Sequence, residues 1–81
     1  MTKRLDSLQP GERGIISAVH PHDAQESLAR RLNALGFRAG RQIELLRAAF
    51  ARGPLHVRVG TTEIMLRRGE AGAVEVRIDR H

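Results

Sequence analysis

Several residue types that carry chemistry or recognition in other proteins are missing from this chain of 81 residues. It has no cysteine, tryptophan or tyrosine, and only two phenylalanines. The absence of cysteine excludes disulfides, thiolate zinc sites, iron–sulfur clusters and thiol catalysis. The scarcity of aromatic rings argues against the platforms that stack bases and against the aromatic grooves that bind proline-rich peptides.

Long apolar runs are also missing. No stretch approaches the ~18 apolar residues of a membrane helix. Lys3 and Arg4 are not followed by the apolar segment of a secretory signal. We therefore expect a cytoplasmic protein without direct membrane insertion, folded as a single domain over residues 1–81.

The charge balance is basic, with 14 Lys and Arg against 9 Asp and Glu and a formal net charge of +5. The cations are scattered, and the pairs Arg30–Arg31 and Arg67–Arg68 are never extended to a run of five. This pattern favours a solvated surface over a nucleic-acid site. Weak binding of phosphates by scattered arginines stays open as an alternative.

Five segments have the apolar alternation or β-branched content of strands. A Gly60-Thr61 pair predicts a two-residue hairpin turn, and Arg52-Gly53-Pro54 and residues 68–72 predict two further turns. Short strands need closure to hide their edges, so the fold class that we expect is mainly β, a small SH3-like five-stranded barrel. The predicted strands are Glu12–Val19, Gln42–Ala49, Leu55–Val59, Thr62–Arg67 and Val74–Asp79.

One short helix is predicted over residues 24–35, between the first two of these strands. Asp23 and Glu26 form a capping box at its start, and a stripe of leucines at Leu28, Leu32 and Leu35 marks its buried face. Gly36 suits the left-handed residue that ends a helix, and Phe37 would then contact Leu32.

Candidate catalytic and metal groups are few. No nucleotide-binding glycine motif or nucleophile elbow is present, so we expect no enzyme activity. His20 and His22 place two imidazoles in one loop, beside Asp23. Two imidazoles are fewer ligands than a zinc site needs. We expect no required cofactor, and at most an adventitious zinc or ferrous ion completed by a neighbouring molecule; His56 and His81 are weaker candidates.

Three apolar residues, Leu46, Phe50 and Met65, fall on the polar side of the predicted strands. Exposed apolar side chains beside arginine are common anchors at protein interfaces. A small barrel also leaves some apolar residues exposed for lack of interior volume. The pattern leaves both explanations open.

The order of motifs resembles the FeoA family, named for ferrous-iron transport protein A. The most specific part runs Arg31-Leu32-x-x-Leu35-Gly36-Phe37-x-x-Gly40, and the Leu5-x-x-Leu8-x-Pro10-Gly11 segment precedes it. The match continues through Gly53-Pro54-Leu55 and Leu66-Arg67-x-x-Glu70-Ala71. The resemblance implies an SH3-like domain with a helical insertion, in agreement with the strand count.

The resemblance further implies an accessory protein of bacterial ferrous-iron uptake. Its partner would be the membrane transporter FeoB, contacted through that protein's cytoplasmic G domain. Motif residues are densest at the helix and its exit, so we expect the contact surface near Arg31, Leu35, Phe37 and Arg38. Two other functions stay open: a metal carrier that uses His20 and His22, and a weak nucleic-acid-binding barrel.

Overall fold

The computed structural model describes residues 1–20 and 26–78 of the chain. Six strands, two helices and one 3₁₀ turn follow one another. In chain order they are β1 (Thr2–Arg4), the 3₁₀ turn (Leu5–Ser7), β2 (Arg13–Val19), α1 (Glu26–Ala34), β3 (Gln42–Ala48), β4 (Leu55–Val59), β5 (Thr62–Leu66), α2 (Arg68–Ala71) and β6 (Val74–Ile78).

All six strands belong to one antiparallel sheet, in the order β1-β6-β2-β3-β4-β5. The mainly β architecture is as expected, and α1 follows the first of the five predicted strands. The strand count differs by one, because β1 pairs with β6 through Thr2 opposite Arg77 and Arg4 opposite Glu75. Three polar residues with no apolar alternation carry no strand signal in the sequence, so only the backbone pairing reveals β1.

The core lies on one face of this sheet and contains no charged residue among those that the structure describes. Alternation explains it: in β4, Leu55, Val57 and Val59 are buried, whereas His56 and Arg58 are half-buried on the other face. The other buried members are Leu5, Leu8, Ile16, Leu32, Phe37, Ile43, Leu45, Leu66, Ala71, Ala73, Val74 and Val76.

The turns follow the predicted chemistry in two of three places. Gly60 has φ +60° and, with Thr61, connects Val59 to its pairing partner Thr62. Residues 68–72 form the short helix α2 and its C-cap.

The third turn is present but is centred earlier in the chain than the predicted Arg52-Gly53-Pro54. The residues with positive φ are Ala51 (57°) and Arg52 (63°), not Gly53, and the Gly53 N–H donates to the Phe50 carbonyl at 3.2 Å. Two successive positive φ angles closed by this hydrogen bond indicate a type I′ turn, which fits the twist of a hairpin and overrides residue preference.

Two strands approach each other closely because of Gly14. A Cβ built at this position would lie 2.2 Å from the Arg77 carbonyl oxygen on β6. The absence of a side chain therefore sets the spacing of β2 and β6.

Helix α1 ends at Ala34, one residue before the predicted end, and the predicted start at residue 24 lies outside the described residues. The predicted cap, Asp23, lies outside the described residues, and so does the Glu26 side chain. No helix among the described residues has the length and apolar character to cross a membrane.

Candidate partner-binding surface

Helix α1 is held against the barrel by the way in which it ends. Gly36 adopts φ +102°, its N–H donates to the Asn33 carbonyl at 3.0 Å, and the Phe37 N–H donates to the Leu32 carbonyl at 2.9 Å. This pair of bonds is a Schellman motif. It carries Phe37 into the core beside Leu32, and so confirms the helix stop read from the sequence.

The segment after α1 is tied back to the sheet. The Gly40 N–H donates to the Ile16 carbonyl at 2.8 Å, and the Ile16 N–H donates to the Arg41 carbonyl at 2.9 Å. Arg38 is exposed and lies between the Schellman motif and these two bonds. The helix exit is therefore a backbone-supported surface loop.

The four residues that we expected at the contact surface divide into two groups. Arg31 and Arg38 are exposed and Leu35 is half-buried, so all three have atoms that a partner could contact. Phe37 is only 1% exposed and belongs to the core. Phe37 positions the exit loop from within the core, and it exposes almost no surface that a partner could contact.

Glu70 joins α1 to α2, and the sequence analysis named it only as a residue of the family motif, without a structural role. Its Oε2 contacts the Arg31 guanidinium, 39 positions away in the chain. Its Oε1 accepts a hydrogen bond from the Arg67 N–H at 3.0 Å, at the start of α2. The available signal was its position three residues after Arg67, at the third residue of a short helix, which is where a capping carboxylate lies.

A shallow groove of about 350 Å³ lies beside this contact, lined by Ser27, Leu28, Arg31 and Glu70. Leu28 is half-buried and packs against the core. The α1 surface therefore combines an apolar floor, a neutralised Arg31–Glu70 pair and the separate cation Arg38. Such a mixture is typical of protein interfaces.

The histidine loop is only partly described. His20 Nε2 lies 2.7 Å from Glu75 Oε1, and the backbone N–H of His20 donates to the Ala73 carbonyl at 2.6 Å. The hydrogen bond with His20 lowers the pKa of Glu75 from its usual range. His22 lies outside the described residues, so the predicted pairing of the two imidazoles stays a prediction.

The two weaker candidates, His56 and His81, give no metal site in the part of the chain that the structure describes. His56 Nε2 lies 2.9 Å from Glu63 Oε1, on the outer face of the sheet. His81 lies outside the described residues. Within residues 1–20 and 26–78, no three or more His, Cys, Asp or Glu side chains come together as a metal-binding group.

The charges on the outer face of the sheet alternate in a row across four strands. Arg13 is opposite Glu44, Glu44 is opposite Arg58, and Arg58 is opposite Glu63. The Arg58 guanidinium lies 3.5 Å from Glu44 and 3.4 Å from Glu63. A groove of about 330 Å³ beside this row is thus lined by both signs of charge, which disfavours a polyanion.

The three apolar residues that were predicted on the polar side differ in exposure. Phe50 is 96% exposed in the β3–β4 turn, and Met65 is 56% exposed on β5. Leu46 is half-buried where the β3–β4 register shifts by one residue. A β-bulge of this kind turns a side chain away from strict alternation.

Comparison with known proteins identifies the family. A family model described as the FeoA domain matches residues 3–78. A crystal structure of an iron uptake regulatory protein, FeoA, is similar at 27% identity and a TM-score of 0.84, over 96% of this chain and 99% of that chain. FeoA from Chlorobium tepidum is similar at 30% identity and a TM-score of 0.83, over 94% of this chain and 70% of that chain.

A third similar structure supports the fold class. FeoA from Stenotrophomonas maltophilia, complexed with zinc, is similar at 32% identity and a TM-score of 0.78, over 98% of this chain and 89% of that chain. It is described as a prokaryotic SH3 domain protein, which confirms the SH3-like class expected from the strand pattern.

More distant structures share the fold alone. A manganese-dependent transcriptional repressor is 18% identical with a TM-score of 0.84, and the match covers 95% of this chain but 41% of the repressor chain. No curated protein matches the chain by sequence. The family model covers nearly all of the described residues, in the motif order read from the sequence. The chain belongs to the FeoA family.

Proposed function

We propose that this chain is a non-enzymatic accessory protein of bacterial ferrous-iron uptake that docks on the transporter FeoB and alters its activity. The observation that carries the proposal is the FeoA family match over residues 3–78. The contact on FeoB is its cytoplasmic G domain, and the chain acts there in the cytoplasm without a required metal cofactor.

The docking surface in this proposal is the outer side of α1 with its exit loop. Leu35 supplies a half-buried apolar contact, and Arg38 supplies an exposed cation. Arg31 is already neutralised by Glu70, so Arg38 is the stronger attraction for an acidic partner surface. Phe37 and the Schellman motif hold this surface in one orientation.

A shift in transporter population is a sufficient mechanism. An adaptor that binds one conformation ~100-fold better than another supplies about 2.7 kcal/mol of bias toward it. A rigid docking surface suits this role, because less ordering free energy is lost on binding.

The test is a binding titration with the purified cytoplasmic domain of FeoB, with and without a GTP analogue. Arg38→Glu is expected to weaken binding about tenfold or more, since one exposed attraction becomes a repulsion. Arg47→Glu is the matched control, because it makes the same charge change at an exposed residue of β3. Equal affinities for the wild type and Arg38→Glu would place the docking surface elsewhere, and no binding at all would remove the proposed function.

A further inference from the structure

Strand β5 has one unpaired edge. It is the last strand in the sheet order, and within the described residues only β4 pairs with it. Its protections are few, since Thr62–Leu66 contains no proline or lysine, has Glu63 as its one charged residue, and keeps a register with β4 that shows no bulge. It also has apolar residues on both faces, with Ile64 half-buried and Met65 56% exposed.

The backbone groups on this open edge can be assigned from the hairpin. Val59 and Thr62 flank a two-residue turn, and such a flanking pair exchanges both backbone hydrogen bonds. Hydrogen-bonded and non-hydrogen-bonded pairs then alternate along the ladder. Glu63 and Met65 therefore direct their N–H and C=O groups away from β4, toward the open edge.

The side chains along this edge are complementary to a second copy of themselves. If two β5 strands pair in antiparallel orientation about a two-fold axis at Met65, Glu63 of one copy lies opposite Arg67 of the other. Both side chains are exposed, and both lie on the outer face with Met65 because alternate residues share a face. The opposite charges therefore meet twice, once on each side of the axis.

Intrachain contacts hold these groups in place and limit the length of the new ladder. His56 at 2.9 Å and Arg58 at 3.4 Å keep the Glu63 carboxylate on the outer face. The Arg67 N–H already donates to Glu70, and its carbonyl accepts from the first turn of α2. The intermolecular ladder is thus restricted to the two Met65 residues and their immediate neighbours.

We propose that the open edge of β5 binds a second copy of this chain and forms a symmetric antiparallel homodimer. The self-complementary charges favour a second copy over an unrelated extended peptide, because a two-fold interface requires the same patch to match itself. The interface is small, which places it among weak, concentration-dependent associations.

The first experiment measures the mass of the full chain by sedimentation or light scattering from about 10 µM to about 1 mM, the range in which small interfaces associate. The wild type is expected to shift from monomer to dimer across this range. Met65→Pro is expected to stay monomeric, because it removes an N–H that faces away from β4 and leaves the β4–β5 ladder intact. Met65→Thr, which keeps the N–H, is the matched control and is expected to dimerise.

The second experiment tests the register through the charges. Glu63→Arg and Arg67→Glu, each alone, are expected to weaken dimerisation about tenfold, because each creates two like-charge contacts. The double variant restores opposite charges and is expected to return to within about threefold of the wild type. Circular dichroism and thermal melting show whether each variant is folded.

Three results would overturn the proposal. A wild-type chain that stays monomeric at about 1 mM excludes a dimer of the strength expected for this interface. Self-association of a folded Met65→Pro variant equal to that of the wild type places the interface on another surface. A folded double charge variant that does not recover excludes the Met65-centred register.

Discussion

Glu70 is the residue on which two local structures depend. One carboxylate oxygen caps the start of α2 through the Arg67 N–H, and the other contacts Arg31 of α1. The Glu70 side chain is largely shielded, at 16% exposed, whereas that of Arg31 is 51% exposed. The cap is therefore the more stabilising of the two contacts, since an exposed ion pair contributes little.

This difference predicts unequal effects of two substitutions. Glu70→Ala is expected to lower the free energy of unfolding by about 1–2 kcal/mol, because it removes both the cap and the ion pair. Arg31→Met keeps the cap and is expected to cost less than about 1 kcal/mol. Urea denaturation measures both, and equal losses would show that the ion pair outweighs the cap.

His20 and Glu75 form a pH-sensitive contact at the end of β2. The hydrogen bond with His20 is the largest cause that lowers the pKa of Glu75. A carboxyl with a lower pKa in the folded state stabilises the fold above its unfolded pKa, and this contribution is lost as the pH falls through the folded value. The contact therefore favours the native state at neutral pH and weakens in acid.

The corresponding prediction concerns the titration of a single carboxyl. His20→Ala is expected to raise the pKa of Glu75 toward the ordinary glutamate range, as followed by carbon NMR of the side chain. His56→Ala is the control, because His56 faces Glu63 and leaves Glu75 untouched. An unchanged Glu75 titration in His20→Ala would contradict the assigned cause.

At the scale of elements, two positions in the barrel require glycine for different reasons. Gly36 has a left-handed backbone with room for a side chain, since the nearest atom to a built Cβ is Val59 Cγ1 in ordinary contact at 3.8 Å. Gly14 has an ordinary backbone but no space, since the Arg77 carbonyl oxygen lies 2.2 Å from that position. One requirement is conformational and the other is steric.

Alanine substitutions separate these requirements. Gly36→Ala is expected to lower the free energy of unfolding by about 1–2 kcal/mol through the left-handed conformation. Gly14→Ala is expected to cost about 3 kcal/mol, since two strands must move apart. Gly69→Ala is the control, because a Cβ there meets nothing within 4 Å and alanine favours the helix. Denaturant unfolding measures all three, and a loss at Gly14 no larger than at Gly69 would refute the steric argument.

The β3–β4 hairpin shows where residue preference yields to strand geometry. Ala51 and Arg52 occupy positive-φ positions for which Asn and Gly are preferred. The strained turn leaves Phe50 almost fully exposed. Local preferences predicted a turn over Arg52-Gly53-Pro54, and the twist and register of the two strands centre it on Ala51 and Arg52.

At the scale of the whole molecule, the order of the strands places acidic residues between basic ones on the outer face of the sheet. The row Arg13, Glu44, Arg58 and Glu63 alternates in sign across β2 to β5. A polyanion would meet carboxylates between the guanidinium groups. The formal charge of +5 therefore does not produce a continuous cationic track along this face.

This distribution predicts weak, salt-sensitive contact with nucleic acid. We expect no detectable binding of a labelled single-stranded oligonucleotide at ~150 mM salt, because a few scattered phosphate contacts are lost with rising ionic strength. Fluorescence anisotropy with increasing salt measures this. Micromolar binding that persists at ~150 mM would revive the nucleic-acid alternative.

Much of the fold follows from patterns within a few neighbouring residues. Alternation places Leu55, Val57 and Val59 inside, and the Leu32 to Phe37 segment carries its own helix stop. Such features are readable because side-chain periodicity and backbone preference act over one or two turns of chain. The family motifs also lie in these segments, so the sequence alone indicates the family.

Other features depend on residues that are distant in the chain and meet only after folding. The pairing of β1 with β6, the Arg31–Glu70 contact and the row of alternating charges join segments with no local signal for one another. The placement of Phe37 in the core instead of at the surface belongs here too, since its burial requires the packed sheet. These contacts depend on strand order and register, which the long-range burial of apolar faces selects.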